Sequence, residues 1–483
     1  MSSLRDLDDI ELISTPITLP NGVTIPNRLV KAAMEEGIAH WGGLPGEKHR
    51  KLYERWGDGG WGVVITGNVQ VDPGHLATPH DRSYPSSTPD TIAAYKQLQQ
   101  SAIGSPESST SHRTRAPPLT ICQLSHPGLQ SSSTACFSRW PWSPAVAPIG
   151  TRPDMSGIMG WLISRVLWPR QSRILDVQGW LRIVDLFVDS AKGMEMAGWD
   201  GVQIHSAHGY LLAEWISPLT NPEAFPLPGV PASVDPRLHP LYLIVMGIRR
   251  STPPSFVLSI KLNCSDFTHG GLTEDYATTL ITEIVSWKKV DILEISGGTY
   301  SSPAFATPET VSTPDSRQSL FAHFTTSLLP HLPRPPGGPA IILTGGMHDR
   351  PIIASAIRDE ACDLVGIGRP ACIRPDIPNR IILNPDLSAE QTRLGGYNIP
   401  GSNVVKRIFG GGSKSGEGIP LVGAGVSTLW HEWQLCRMGR GVEPDLGMDW
   451  IWGGVILELL WFGLLRGGPL VWFSSLWRSK IAL

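Results

Sequence analysis

Two histidines and a tyrosine stand close together in the segment QIHSAHGY, residues 203–210. A neutral imidazole has one N–H donor, so His205 and His208 can both donate to one carbonyl oxygen and polarise it. Tyr210, a phenol with an ordinary pKa of about 10, can donate a proton and recover it from water. Two alternatives stay open. One is a metal site, which needs a third ligand and more often places an H-x-x-H pair on a helix; the other is a pair of core histidines bonded to backbone.

A lysine and a glutamine in apolar segments are further candidates. Lys261, in IKLN (260–263), is costly to bury without an anionic partner. It can form a Schiff base, stand beside a cofactor that becomes negative on reduction, or make an internal ion pair. Gln123, in QLSHPG (123–128), has an amide that both donates and accepts along the edge of a heterocycle. Neither residue decides the chemistry alone.

Two glycine-rich segments, TGGM (344–347) and GIGRP (366–370), have the composition of an anion site. Glycines such as Gly345, Gly346 and Gly368 let backbone N–H groups approach a phosphate closely. Arg369 can add a charge-assisted hydrogen bond to that phosphate. The alternative is that these glycines serve only tight turns.

The elements that must position these residues form a repeating pattern. Eight short apolar runs, nearly continuous in Val, Ile and Leu, predict strands buried on both faces, and helical patterns separate most of them. This alternation predicts an α/β fold, a (β/α)8 TIM barrel. An open doubly wound sheet is less favoured, because no G-x-G-x-x-G follows the first run. The predicted strands are 28–34, 62–69, 119–125, 201–207, 256–263, 291–298, 340–346 and 363–369, and the predicted helices are 47–56, 90–99, 183–197, 274–287 and 350–359.

The barrel places the candidate residues on one face. They lie at the carboxyl ends of predicted strands three, four, five, seven and eight. In a TIM barrel those ends and the loops after them meet at a single mouth, where substrates bind.

The barrel is predicted to occupy residues 14–385, with a C-terminal extension over 386–483 that holds seven of the 18 tryptophans. Within it, the apolar stretch 451–465 is shorter than the roughly 20 residues needed to span a bilayer. We expect it to form a helix that packs on the barrel or on a partner subunit, with membrane association the less favoured alternative. Residues 131–180 are predicted to form a long insertion between strands three and four, and residues 221–240 show neither a helical nor a strand period.

Composition excludes several classes of protein. A net charge of −3 argues against nucleic-acid binding, and 41% apolar residues argue against disorder. The six cysteines contain no C-x-x-C pair, so neither a zinc site, an iron–sulfur cluster nor a disulfide framework is predicted. The first residues, MSSLRDLDDIEL, lack the apolar run of a secretory signal, and a cytoplasmic location is expected.

Taken together, these motifs resemble the old yellow enzyme family of FMN-dependent, NAD(P)H-consuming ene-reductases, over roughly residues 14–385. The resemblance is most specific between Trp199 and Asn221. The lack of a cysteine cluster separates the chain from the family's iron–sulfur branch. The motifs that carry it are PNRLVKAAM (26–34), ITGNV (65–69), QLSHPG (123–128), AGWDGVQIHSAHGYLLAEWISPLTN (197–221), IKLNCSDF (260–267), LEISGG (293–298), ILTGGM (342–347) and GIGRP (366–370).

The resemblance implies a role for each matching residue. His205 and His208 would bind the carbonyl oxygen of the substrate, and Tyr210 would be the proton donor. Lys261 would lie beside N1 and the C2 carbonyl of the flavin, and Gln123 would contact its pyrimidine edge. Ala33, Met34 and Gly67 would contact the flavin near its ring, and Gly345, Gly346, Gly368 and Arg369 would belong to the phosphate-binding segments.

The implied reaction has two halves. NAD(P)H delivers hydride to flavin N5, and the flavin then reduces the C=C bond of an α,β-unsaturated ketone or aldehyde. The expected partners are therefore small molecules, with no nucleic acid; self-association stays open. NADH oxidase activity, or oxidation or demethylation in secondary metabolism, would use the same residues.

Two hypotheses from other classes remain. One is a lyase that forms a Schiff base at Lys261. The other is a degenerate, non-catalytic barrel that acts as a binding or scaffold protein. It is motivated by residues 221–240, where NPEAF and proline-rich sequence replace the R-R-T-D-x-Y-G-G-S run typical of the family.

Overall fold

The computed structural model describes residues 4–39, 43–105, 116–133, 139, 143–153, 157–297, 323–395, 399–401 and 420–449. Eight parallel strands within these ranges pair in chain order, and the last strand also pairs with the first. The sheet is therefore closed, and the predicted (β/α)8 barrel is confirmed. The strands are β1 (Leu29–Lys31), β2 (Val63–Ile65), β3 (Leu119–Ser125), β4 (Gly201–Ser206), β5 (Val257–Asn263), β6 (Ile292–Ser296), β7 (Ala340–Thr344) and β8 (Leu364–Ile367).

Helices surround the barrel, and several begin at a side chain that caps them. Thr88, Asp176, Thr273 and Asp349 each accept a hydrogen bond from the backbone N–H three residues later. Such caps satisfy donors that the first turn leaves unpaired. The helices are α1 (Leu4–Ser14), α2 (Glu47–Gly57), α3 (Pro89–Ile103), α4 (Gly157–Leu167), α5 (Val177–Met196), α6 (Leu211–Ile216), α7 (His239–Ser251), α8 (Glu274–Ser286), α9 (Arg350–Arg358) and α10 (Pro420–Gly439).

Strand residues alternate between two apolar clusters. On β2, Val63 and Ile65 belong to the cluster that fills the barrel, whereas Val64 belongs to the cluster between strands and helices. Ile342 of β7 likewise faces inward. Because side chains alternate along a strand, the next inward positions toward the carboxyl ends are polar ones, such as Gln123 and Glu294. The barrel interior thus changes from apolar to polar just below its mouth.

The two segments that depart from the strand and helix pattern of the sequence contain regular structure. Within 131–180 lie α4, the start of α5 and two short paired strands, Val146–Ala147 and Arg173–Ile174. In 221–240 the chain forms a 3-10 helix at Pro236–Leu238 and then begins α7 at His239. The insertion predicted at 131–180 is therefore partly regular, and 221–240 contains short helical structure that its sequence pattern did not predict.

The C-terminal extension contributes α10, which packs against α2 and against the 3-10 turn Arg369–Cys372. Trp430, Leu435 and Met438 on α10 are fully buried. No helix in the described ranges is long and apolar enough to cross a membrane. The apolar stretch 451–465 lies outside the described residues.

Candidate active site

A buried polar network crosses the inside of the barrel mouth. Glu294 accepts hydrogen bonds from Gln203 (2.9 Å) and from the hydroxyl of Thr344 (2.9 Å), and its Oε1 lies 2.8 Å from Lys261 Nζ. Gln123 Nε2 donates to Gln203 Oε1 at 2.7 Å. Lys261 pairs in register with both Glu294 and His205 on the neighbouring strands. Side chains from β3 to β7 therefore fix the orientation of Gln123 and Lys261.

Lys261 makes the internal ion pair that the sequence left open. An ammonium held against a buried carboxylate lacks the free lone pair that Schiff-base formation requires. The geometry does not favour the lyase hypothesis.

The two imidazoles lie above this network in the neutral form. The ring centroids of His205 and His208 are 5.2 Å apart. Burial, with the nearby Lys261 charge, holds the pKa of both histidines well below the usual value. His205 Nδ1 accepts the backbone N–H of Ala207 at 3.2 Å, so the ring proton resides on Nε2. The His205 ring is therefore a donor at Nε2.

Contacts to both the backbone and the ring of His208 fix its position. Its φ of 59° lies in the left-handed region, and its N–H donates to Asn263 Oδ1 at 3.2 Å. Its Nε2 lies 2.7 Å from Ser296 Oγ at the end of β6. When the Ser296 hydroxyl donates to Nε2, the ring proton is on Nδ1. Ser296 therefore has the geometry to select the tautomer of His208.

Tyr210 lies against this pair. Its ring centroid is 4.4 Å from that of His205, and its side chain is largely buried. The phenol oxygen accepts a hydrogen bond from Asn68 Nδ2 at 2.8 Å. A donor at that oxygen stabilises the phenolate left when the proton departs. The three residues of the 203–210 motif thus meet at one place.

Gly67 lies where backbones approach closely. An added Cβ would overlap the carbonyl oxygen of Met34, which follows β1. The Gly67 N–H donates to Glu36 Oε1 at 3.0 Å, and Tyr53 donates its hydroxyl to the same carboxylate. Arg82 pairs with Glu36 at 3.0 Å. Glu36, Tyr53 and Arg82 therefore hold the Gly67 turn beside Met34 and Ala33.

The ends of β7 and β8 form the second part of the site. Gly345 and Gly346 have φ values of 123° and 72°, which other residues rarely adopt. A Cβ on Gly368 would lie 3.0 Å from Met34 Sδ, so the β8 end abuts the β1 end. Arg369 makes no hydrogen bond or ion pair with the described residues, and burial lowers its pKa. A partly buried guanidinium without such a partner is suited to binding an anion.

These residues fit an FMN molecule. The close approaches at Gly67 and Gly368 bring the ends of β1, β2 and β8 together at the mouth of the barrel. Gln123 and Lys261 supply an amide and a cation to the edge of a planar ring, and Arg369 supplies a cation to a phosphate. The predicted residues brought to the barrel mouth are Ala33, Met34, Gly67, Gln123, His205, His208, Tyr210, Lys261, Gly345, Gly346, Gly368 and Arg369.

Several residues near the mouth were not singled out from the sequence. Asn68 and Ser296 lie inside the motifs ITGNV and LEISGG, and Glu294 lies inside the latter. Motif position was thus an available signal for all three, but their partners lie in other segments of the chain. Glu36 and Arg82 had no sequence signal, because 46 residues separate them.

A cluster of Asp72, His75 and His126 brings possible metal ligands within 4.8 Å of one another. His75 Nδ1 lies 2.9 Å from Asp72 Oδ2. His126 Nδ1 accepts the Gly128 N–H at 3.1 Å, so the ring proton is on Nε2, the atom nearest Asp72. That tautomer leaves no lone pair on Nε2 for a metal, although Nε2 lies 4.0 Å from Asp72 Oδ2, beyond hydrogen-bond distance.

Comparisons with known proteins agree with this geometry. Residues 163–385 match the model of the NADH:flavin oxidoreductase / NADH oxidase family. The NADH-dependent flavin oxidoreductase iliE of Hypocrea jecorina is 34% identical over 403 residues, covering 82% of this chain and 95% of that protein.

Two solved structures share the fold. 2-Naphthoyl-CoA reductase aligns with a TM-score of 0.62 at 18% identity, covering 77% of this chain and 52% of the reductase. This chain therefore spans about half the length of that enzyme. The old yellow enzyme homologue of Zymomonas mobilis aligns with a TM-score of 0.54 at 19% identity, covering 76% of this chain and 91% of that one.

Proposed function

Because this chain belongs to the NADH:flavin oxidoreductase / NADH oxidase family, that of the old yellow enzymes, we propose that it reduces the C=C bond of an α,β-unsaturated ketone or aldehyde. Family membership confirms the predicted enzyme class, an FMN-dependent NAD(P)H oxidoreductase, and the predicted cofactors, FMN and NAD(P)H. The substrate class and the residue roles that follow are our proposal.

The observation that carries the proposal is the pair of neutral imidazoles beside Tyr210. His205 Nε2 and His208 Nδ1 donate to the carbonyl oxygen of the substrate, with Ser296 setting the second tautomer. These two hydrogen bonds strengthen as negative charge develops on that oxygen. They therefore lower the activation barrier for reduction at the β-carbon. Tyr210 then donates its proton to the α-carbon, while Asn68 stabilises the phenolate.

The remaining residues hold the cofactor. The chemistry supplied by bound FMN is hydride transfer, from NAD(P)H and then to the substrate. Lys261 would place a positive charge near the reduced ring, whose negative charge it would offset. Gln123 would hydrogen-bond the ring, and Arg369 with the glycine backbones of 345, 346 and 368 would bind the phosphate.

The test is the spectrum and turnover of the purified protein. We expect bound FMN, an absorption band at about 450 nm as for oxidised flavins generally, bleaching by NADH or NADPH, and reoxidation by an enone. Bleaching without enone turnover would refute the substrate class and leave the family assignment in place. FMN binding without bleaching would support the non-catalytic barrel.

A further inference from the structure

Helix α4 presents three large apolar side chains to solvent, whereas two small residues on its opposite stripe face the protein. Trp161, Leu162 and Val166 are 52%, 48% and 58% exposed. Gly160 and Ser164, on the opposite stripe, are buried. Residues four apart share a helix face, so the exposed side chains form one continuous surface. An ordinary surface helix has the reverse arrangement.

This helix is firmly attached. Just beyond its end, the indole N–H of Trp168 donates to Leu129 O at 2.8 Å, and Arg152 donates to Trp168 O at 2.8 Å. Ser132 Oγ donates to Leu167 O at 3.0 Å. The exposure of the apolar face is therefore built into the fold.

Positive charge surrounds the apolar face. Arg165, Arg170 and Arg173 are exposed, and the Arg165 guanidinium lies 3.9 Å from the Trp161 ring centroid. No Asp or Glu occurs from residue 157 to residue 175, although the whole chain carries a net charge of −3. Ile174, beside Arg173, is 59% exposed. The surface combines exposed aliphatic and aromatic groups with three exposed arginines.

We propose that this surface, residues 161–174, docks the protein on a membrane that contains anionic lipid. The apolar side chains enter the boundary between headgroups and acyl chains, where Trp is favoured, and the arginines bind lipid phosphates or carboxylates. A second copy of the chain fits less well, because a two-fold contact through this face would bring its arginines against themselves.

The proposed docking surface is joined to the candidate site through one loop. The segment that holds the end of α4 also contacts the site, since Gln130 Nε2 donates to His208 O at 2.7 Å. The loop that anchors α4 therefore also contacts the backbone of a site residue. The docking itself does not depend on the flavin chemistry.

Vesicle flotation of the full-length protein tests this inference. We expect flotation with phosphatidylcholine vesicles that contain phosphatidylserine, weaker flotation without it, and release by high salt. The double variant Leu162→Ser, Val166→Ser should lower partitioning about tenfold, through loss of buried apolar area. Arg165→Gln and Arg170→Gln should each lower it about fivefold, and only on the anionic vesicles.

A matched control is available on the segment after α10. Val442 and Leu446 are 46% and 45% exposed, so Val442→Ser, Leu446→Ser removes similar apolar surface elsewhere and should leave partitioning unchanged. Equal melting temperatures of all variants exclude unfolding as the cause of reduced partitioning. If the Leu162→Ser, Val166→Ser variant does not fold, the arginine variants test the proposal instead.

Three outcomes would overturn the proposal. The first is no flotation with either vesicle. The second is flotation that the Leu162 and Val166 changes leave intact, which would locate binding elsewhere, for example at 451–465. The third is a dimer in solution that those changes dissociate, which would make the surface a contact between two copies.

Discussion

Tyr210 has the geometry of a proton donor whose anion is stabilised, because Asn68 donates to the phenol oxygen. We expect Tyr210→Phe to lower enone turnover by about 10²-fold or more, the usual contribution of a positioned general acid. Reduction of the flavin by NAD(P)H should be unchanged, since that step needs no proton from Tyr210. Stopped-flow measurement of the two half-reactions separates the effects. Equal slowing of both would contradict the role.

Ser296 is a positioning residue for His208, through the 2.7 Å contact between its Oγ and Nε2. Ser296→Ala should raise the enone KM about fivefold to tenfold, the usual worth of one hydrogen bond, because Nδ1 is then no longer the preferred donor. The KM for NAD(P)H should be unaffected. Ser206→Ala is the matched control, since Ser206 is buried and its hydroxyl bonds no described residue. A similar KM in both variants would argue against tautomer selection.

Glu294 offsets the charge of Lys261 at a separation of 2.8 Å. Glu294→Gln should raise the midpoint potential of bound FMN, because the Lys261 charge then acts on the reduced ring without compensation. A rise of about 30 mV corresponds to ~1.4 kcal/mol for two electrons. Anaerobic reduction against a reference dye measures it. Asp291→Asn, at the opposite end of β6, should leave the potential unchanged, and a lower potential in Glu294→Gln would contradict the argument.

At the scale of elements, α10 brings the carboxylate of Glu432 close to those of Glu35 and Asp81. Glu432 Oε2 would lie 2.7 Å from a Cβ on Gly37, two residues after Glu35. Burial, and then the charges of Glu432 and Asp81, raise the pKa of Glu35 well above its ordinary value. A raised carboxyl pKa stabilises the fold below the unfolded value of about 4.3, and this contribution is lost as pH rises toward the folded value.

Glu432→Gln should therefore stabilise the protein more at alkaline pH than at acid pH. Each unit by which the pKa of Glu35 falls is worth ~1.4 kcal/mol once Glu35 ionises. Denaturant unfolding from pH 5 to pH 9, roughly the span above the unfolded pKa, measures the trend. Glu443→Gln, which removes an exposed ion pair to Arg55, should show little change with pH. A pH-independent effect of Glu432→Gln would count against the carboxylate cluster.

How far the sequence predicts an element depends on what surrounds it. β3 was predicted at 119–125 and is found there, because both its faces are apolar or barrel-lining. β1 was predicted at 28–34 but ends at Lys31, since Ala33 and Met34 leave the sheet toward the site. Helix α4 was missed because its outward face is apolar, which hides the amphipathic period.

For the site, residue types at strand ends were sufficient to find the imidazoles, Tyr210, Lys261 and Gln123. The register that joins Lys261 to Glu294 was not visible, because it depends on how neighbouring strands align. The same reason hid Ser296 and Asn68. Chemistry carried by one segment was predictable, and chemistry shared between segments was not.

At the scale of the whole molecule, the extension and the barrel share one core. Removing residues 402–483 would take away α10 and expose the surface that buries Trp430, Leu435 and Met438. Each such side chain is worth roughly 1.5–3 kcal/mol, so we expect a lower Tm and weaker FMN binding. Truncation after Asp449 keeps α10 and is the control. An unchanged Tm without α10 would support a barrel of residues 14–385 that folds alone.

The pairing of β1 with β8, which closes the barrel, also has a consequence for folding during translation. Arg28 and Asp363, which flank β1 and β8, are joined by a hydrogen bond across 335 positions. Until β8 leaves the ribosome, the nascent sheet has an uncovered edge at β1, and an unpaired edge invites strand addition from other chains. The most aggregation-prone species of this protein is therefore the nearly complete nascent chain, and chaperone demand should peak late in translation.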